Sequence, residues 1–134
     1  MIDTSNPHAL KKKVSTDYDT TIGAIKAALA EQGFGILTEI DVAATLKKKL
    51  DVDTPRAIIL GACNPKLAHR AMSLVPDVSV FLPCNVVVRE NNGGEVEIAA
   101  LNPETMGQMI ANPGLVEVAD EANKRIRAAI DAVN

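Results

Sequence analysis

Residues 57–65 read Ala-Ile-Ile-Leu-Gly-Ala-Cys-Asn-Pro, and the rest of the chain can be placed around this stretch. Its first part, Ala57 to Leu60, is apolar at every position, which is typical of a strand buried on both faces. Asn64 is a favoured helix N-cap, and Pro65 suits the first position of a helix. The stretch therefore predicts a buried strand that runs into a helix, with Cys63 at the junction.

A second stretch, Pro83-Cys84-Asn85, repeats the cysteine–asparagine pair and holds the other of the two cysteines. A helix N-terminus carries partial positive charge, which would favour the thiolate form of Cys63. The alternative is that both thiols are buried and pack as small hydrophobic groups. If their strands are adjacent in the sheet, Cys63 and Cys84 can meet, and a disulfide between them would need Cα atoms within roughly 7 Å.

Hydrophobic periodicity and turn residues predict the element order β-α-β-α-β-α-β-β-α-α. The predicted strands cover residues 8–14, 34–41, 57–63, 85–90 and 95–99, and the predicted helices cover residues 18–32, 42–50, 65–74, 103–110 and 115–133. Asn91 to Gly94 indicates a tight hairpin between the last two strands, because Asn and Gly tolerate positive φ.

This pattern predicts an α+β fold of two layers, in which helices cover one face of a mostly antiparallel or mixed sheet. The 134 residues fit a single domain over residues 8–134, preceded by a flexible N-terminus over residues 1–7.

Composition excludes several classes of partner. Lys and Arg total 14 against 17 Asp and Glu, and only 2% of residues are aromatic, so we expect no nucleic-acid binding. No apolar run has the length of a membrane span, and Met1 to Pro7 lacks the apolar core of a secretory signal. Two cysteines do not make a disulfide framework. We therefore expect a cytoplasmic protein with reduced thiols and no membrane partner.

A metal site would need three or four ligands, and Cys63, Cys84 and His69 are the candidates. His69 lies on the predicted outer side of its helix, and the chain has no C-x-x-C pair, so we expect no metal. No phosphate-binding glycine loop or dinucleotide fingerprint is present, and we expect no cofactor.

Two acidic residues lie on or beside the second predicted strand. Glu39 is either a buried acid facing a pocket or an ordinary exposed strand residue. Asp41 is most simply the N-cap of the following helix.

Three segments of the chain resemble a known family: Ile36 to Val42 (ILTEIDV), Gly61 to Met72 (GACNPKLAHRAM) and Leu82 to Glu90 (LPCNVVVRE). Together they are similar to the signature segments of the domain of unknown function 302 family, and the resemblance extends from about His8 to the C-terminal helix. It implies a compact α/β domain of bacterial and archaeal type, usually alone in its chain and homodimeric, but no assigned activity. The motif positions of the family correspond here to Glu39, Asp41, Cys63, Asn64, Pro65, Cys84 and Asn85.

Three hypotheses follow for the function. The first is a small-ligand-binding or accessory module, whose pocket lies at the strand–helix junction and is formed by Cys63, Asn64, Cys84, Asn85 and Glu39. The second is a purely structural dimer module, and the third is a thiol-based redox protein. Whether the protein is an enzyme stays open. A homodimer is expected because the sheet has few strands and the helices have long apolar stripes.

Overall fold

The predicted order of strands and helices is confirmed by the computed structural model, which describes residues 1–134. The strands are β1 (Ala9–Val14), β2 (Gly35–Asp41), β3 (Ala57–Cys63), β4 (Cys84–Glu90) and β5 (Val96–Leu101). The helices are α1 (Tyr18–Glu31), α2 (Val42–Leu50), α3 (Pro65–Leu74), α4 (Glu104–Met109) and α5 (Pro113–Asp131). The connector after α3 is itself a 3-10 helix over Pro76–Phe81.

The five strands form one sheet in the order β1-β5-β4-β3-β2, and every neighbouring pair is antiparallel. The hairpin between β4 and β5 turns at Asn91, whose N–H donates to the Glu95 carbonyl over 2.7 Å, and Gly94 adopts a φ of +81° there. The α+β prediction is therefore confirmed, with an antiparallel rather than a mixed sheet.

The core lies between one face of the sheet and the helices. A row across the sheet joins Leu10, Ala100, Val86 and Leu60, which are opposite one another in register and buried. The helices close over this face with fully buried aliphatic side chains: Ile25, Leu29, Ile126 and Ile130. Such aliphatic packing agrees with the scarcity of aromatic residues.

The other face of the sheet has no comparable core. Ile59 and Val87 are only half-buried there, and Arg89 makes an ion pair of 2.6 Å with Glu97 on the neighbouring strand. The helices that contribute buried side chains therefore lie on one face of the sheet, as the sequence predicts. Only that face is covered by a second layer.

The edge strand β2 departs from the strict alternation that its sequence suggests. Its register with β3 shifts between Ile36 and Thr38, so Leu37 forms a bulge and is 66% exposed. A bulge bends an edge strand and interrupts its ladder, which hinders pairing with a further strand. The following helix, α2, contacts β2 and β3 but buries none of its residues.

The first residues of the chain also make contacts. The backbone of Asp3 pairs with Lys11 of β1, at 2.6 Å and 3.1 Å. Flexibility of residues 1–7 in solution stays a prediction. None of the helices has both the length and the apolar character needed to cross a membrane.

Candidate functional site

The junction between β3 and α3 is built as the sequence predicts. Asn64 is extended at the N-cap, and its side-chain oxygen accepts from the Leu67 N–H over 3.2 Å. Its amide nitrogen also donates to the carbonyl of Gln32, the C-cap of α1, over 3.3 Å. Asn64 therefore both caps α3 and ties its start to the end of α1.

Cys63, Asn64 and Cys84 border one cavity beside this junction, with a volume of about 30 Å³. Apart from Asn64, its lining is entirely hydrophobic, and five alanines contribute to it: Ala62, Ala68, Ala71, Ala119 and Ala122. This volume holds roughly two water-sized groups. The cavity can accept the end of an apolar group, but it is far smaller than a typical metabolite pocket.

The two thiols are free and do not stand opposite each other. Ala62, rather than Cys63, is the register partner of Cys84. Because side chains alternate along a strand, Cys63 projects from the face opposite to that of Ala62 and Cys84, and it borders the cavity as the last residue of β3. The two sulfur-bearing junctions thus meet at one cavity without forming a paired-thiol site.

Burial controls the ionisation of both thiols. It raises the pKa of Cys84 to about 11, with a smaller contribution from Cys63, and it also raises the pKa of Cys63. The position of Cys63 before α3 suggests a lowered pKa, but desolvation of the thiolate acts in the opposite direction and prevails. Both cysteines are therefore neutral thiols near pH 7.

Asn85 and Glu39 lie outside the lining of this cavity. Asn85 is exposed and is the register partner of Gly61. Glu39 is also exposed, and its carboxylate accepts from the Lys26 ammonium over 2.7 Å. The structure therefore brings together three of the five candidate residues and leaves these two apart.

A larger, polar groove adjoins the cavity, with a volume of about 700 Å³. Its walls are α3 and α5, and it shares Asn64 and Leu67 with the lining of the cavity. Five charged side chains line it: Lys66, Arg70, Glu117, Glu121 and Arg125.

Sequence reasoning missed this groove. The one available signal is the helical spacing of these charges, four residues apart within each predicted helix. Such spacing is equally typical of any solvated helix face, so it does not reveal that the two faces confront each other.

No group of three or more His, Cys, Asp or Glu residues is arranged to hold a metal ion. The site combines neutral thiols, an asparagine amide, an apolar cavity and the charged walls of the groove.

Comparison with known proteins identifies relatives across nearly the whole chain. The family model described as "Domain of unknown function DUF302" matches residues 10–133. A similar solved structure is the crystal structure of an uncharacterized conserved DUF302 protein from Bacillus stearothermophilus. It is 32% identical, has a TM-score of 0.88, and the match covers 95% of this chain and 98% of that one. No curated protein matches the sequence.

Proposed function

The chain belongs to the DUF302 family, and from this premise we propose that it is a small-ligand-binding module, with its site where the Cys63/Cys84 cavity adjoins the groove between α3 and α5. The observation that carries the proposal is the shared lining. Asn64 and Leu67 border both an apolar cavity and a polar groove of about 700 Å³. Sites for small molecules combine these two features and have volumes of roughly 300–1,000 Å³.

Rigidity at the boundary of the two spaces also supports this site. Asn64 is fixed by its bonds to the Leu67 N–H and the Gln32 carbonyl, and Arg125 donates to the same carbonyl over 3.3 Å. A site whose boundary groups are already held in place loses little conformational freedom when it binds a ligand.

A thermal-shift screen with mixtures of common metabolites tests the proposal. At least one mixture should raise the melting temperature, because a ligand that binds only the folded state stabilises it. The shift should vanish in Ala68→Met, which fills the cavity from a half-buried position of α3. It should persist in Ala27→Met, the same change at an exposed position of α1. Melting temperatures that no mixture changes would contradict the proposal.

The second candidate function is a structural homodimer module, and a separate surface supports it. Four large apolar side chains are exposed on β2, at the end of α2 and in the following loop: Leu37, Ile40, Leu50 and Val52. We propose that these side chains form a contiguous apolar surface, which is a typical feature of protein interfaces. This candidate does not depend on the cavity or the groove.

The redox hypothesis receives less support. A reactive cysteine normally has a lowered pKa, whereas burial raises the pKa of both Cys63 and Cys84. We propose a cytoplasmic location on the ground that both cysteines are free.

A further inference from the structure

The walls of the groove carry charges of opposite sign that are not compensated within the chain. Lys66 and Arg70 lie one turn apart on α3, and neither takes part in an ion pair. Glu117 on α5 has no cationic partner either. Lys66 and Arg70 thus line one wall of the groove, and Glu117 lines the other.

The remaining two charges of the groove are already satisfied. The Arg125 guanidinium donates to Glu121 over 2.9 Å and to the Gln32 carbonyl over 3.3 Å. These two side chains therefore shape the wall, and a ligand would meet mainly Lys66, Arg70 and Glu117.

We propose that the ligand of this site is a zwitterion with a short aliphatic side chain, of the class of the aliphatic α-amino acids; this inference rests on the proposed ligand-binding function. The ligand carboxylate would face Lys66 and Arg70, and its ammonium would face Glu117. The aliphatic group would enter the alanine-lined cavity past Leu67, which borders both spaces.

Charge complementarity favours this class over singly charged ligands. A simple anion would leave Glu117 unpaired and close to its own negative charge, and a simple cation would meet the repulsion of Lys66 and Arg70. Only a ligand that carries both charges can pair with the cationic groups on one wall and with Glu117 on the other. Repulsion of ligands with the wrong charge is a common source of specificity.

The cavity limits the apolar part of the ligand. Its volume of about 30 Å³ accepts the tip of a short branched chain but not a larger apolar group. The neutral thiol of Cys84 adds no charge that would oppose such a group.

Calorimetric titration with leucine and three analogues tests the inference. The analogues are 4-methylpentanoate, which lacks the ammonium, isopentylamine, which lacks the carboxylate, and glycine, which lacks the side chain. Leucine should bind most tightly, and each analogue about tenfold or more weakly, because each loses one charge-assisted contact or the apolar contact. An analogue that binds as tightly as leucine would overturn the assignment of the group that it lacks.

Two neutralising variants assign each charge to its wall. Arg70→Gln should weaken leucine binding about tenfold but tighten isopentylamine binding, because it removes a charge that repels this cation. Glu117→Gln should weaken leucine binding similarly but tighten 4-methylpentanoate binding, because it removes a charge that repels this anion. Lys48→Gln, on the exposed side of α2, is the matched control and should leave all four affinities unchanged.

The outcome separates this inference from the function on which it rests. If leucine does not bind but a metabolite mixture still gives a thermal shift that Ala68→Met abolishes, the ligand-binding proposal stands and the zwitterion is wrong. If neither leucine nor any mixture has an effect, both proposals fall.

Discussion

Gly61 of β3 lies where residues of the edge strand β2 and of the segment before Cys84 approach closely. A Cβ atom at this position would lie 2.9 Å from the Pro83 ring and would also collide with the Thr38 hydroxyl. A glycine that ends an apolar strand run permits close approach of neighbouring groups, so the sequence is compatible with this packing. It does not identify Thr38 and Pro83 as the neighbours, since both are more than twenty residues away along the chain.

Gly61→Ala should therefore lower the free energy of unfolding by about 1–3 kcal/mol, the usual cost of overpacking a closely packed position. Denaturant unfolding measures the change. Gly23→Ala is the matched control, because Gly23 is an exposed residue within α1 and a Cβ there meets nothing within 4 Å. That substitution should stabilise the protein by about 0.5–1 kcal/mol. Equal effects of the two substitutions would contradict the described packing around Gly61.

The buried thiol of Cys84 should make stability depend on pH in the alkaline range. Its pKa is about 11 in the folded protein, against 9.0 for an unperturbed thiol. Between these values the unfolded chain releases the proton and the folded one retains it, so unfolding becomes easier as pH rises. The contribution of the buried Cys84 thiol to the free energy of unfolding is fully present below about pH 9. It decreases by roughly 2–3 kcal/mol by pH 11.

Comparison of the wild type with Cys84→Ala isolates this contribution from the other groups that titrate in the same range. Unfolding free energies at pH 8 and pH 11 should fall more in the wild type than in the variant. The same decrease in both proteins would show that the Cys84 thiol is not protected by burial.

At the scale of the element, helix capping is the feature that the sequence predicts best. Asp17, Asp41, Asn64 and Asn112 each accept hydrogen bonds from the first turn of the following helix. A cap needs only a short polar side chain and the N–H groups two or three residues later, so the signal is entirely local. The predicted caps of α2 and α3, Asp41 and Asn64, are confirmed. For α1 the sequence offers either Thr16 or Asp17, and the cap is Asp17. Asn112, interpreted from the sequence only as part of a helix break, is in addition the cap of α5.

Asn64 and Asn85 each follow one of the two cysteines, but they should differ strongly in their contribution to the free energy of unfolding. Asn64→Ala should lower the free energy of unfolding by about 1 kcal/mol or somewhat more, because it removes the cap of α3 and the bond to Gln32. Asn85→Ala should change it by less than about 0.5 kcal/mol, since Asn85 is an exposed strand residue. Chemical denaturation of both variants measures this, and equal losses would contradict the assignment of Asn64 as the structural member of the pair.

The groove was not predicted from the sequence because it forms between two helices, α3 and α5, that are far apart along the chain. The residues of α3 and α5 that line it are about fifty positions apart in the sequence, and each set alone resembles an ordinary solvated face. The two helices also approach each other where Leu74 lies so close to Gly114 that a Cβ on the glycine would be 2.9 Å from the leucine side chain. No local pattern carries such information, whereas the strand–helix junction at Cys63 is contained within nine consecutive residues.

For the molecule as a whole, the sequence predicts the two-layer α+β architecture, because a hairpin signal and alternating apolar runs indicate it, but it leaves open whether the sheet is mostly antiparallel or mixed. The bulge at Leu37 was not predicted, since it depends on how β2 meets β3. The edge strand β2 also carries the exposed Leu37 and Ile40, which support the homodimer expected from the few strands of the sheet and the apolar stripes of the helices.

A homodimer would have a mass in solution of twice the 14.2 kDa of one chain, and we expect this mass at micromolar concentration. Light scattering measures this mass. Leu37→Lys combined with Ile40→Lys should give monomers, because charged side chains buried in an apolar interface oppose association. Val80→Lys changes another exposed apolar residue, on the 3-10 helix, and should leave the dimer intact. A wild-type protein with the mass of one chain would exclude this oligomer.

The location of the ligand site is the central claim, and amide chemical-shift mapping of labelled protein tests it most directly. The mixture that raises the melting temperature, added to the labelled protein, should shift resonances of Lys66 to Arg70 and of Glu117 to Arg125, with smaller changes at Cys63 and Cys84. Shifts confined to β2 and α2, or none at any residue, would contradict a ligand site between α3 and α5.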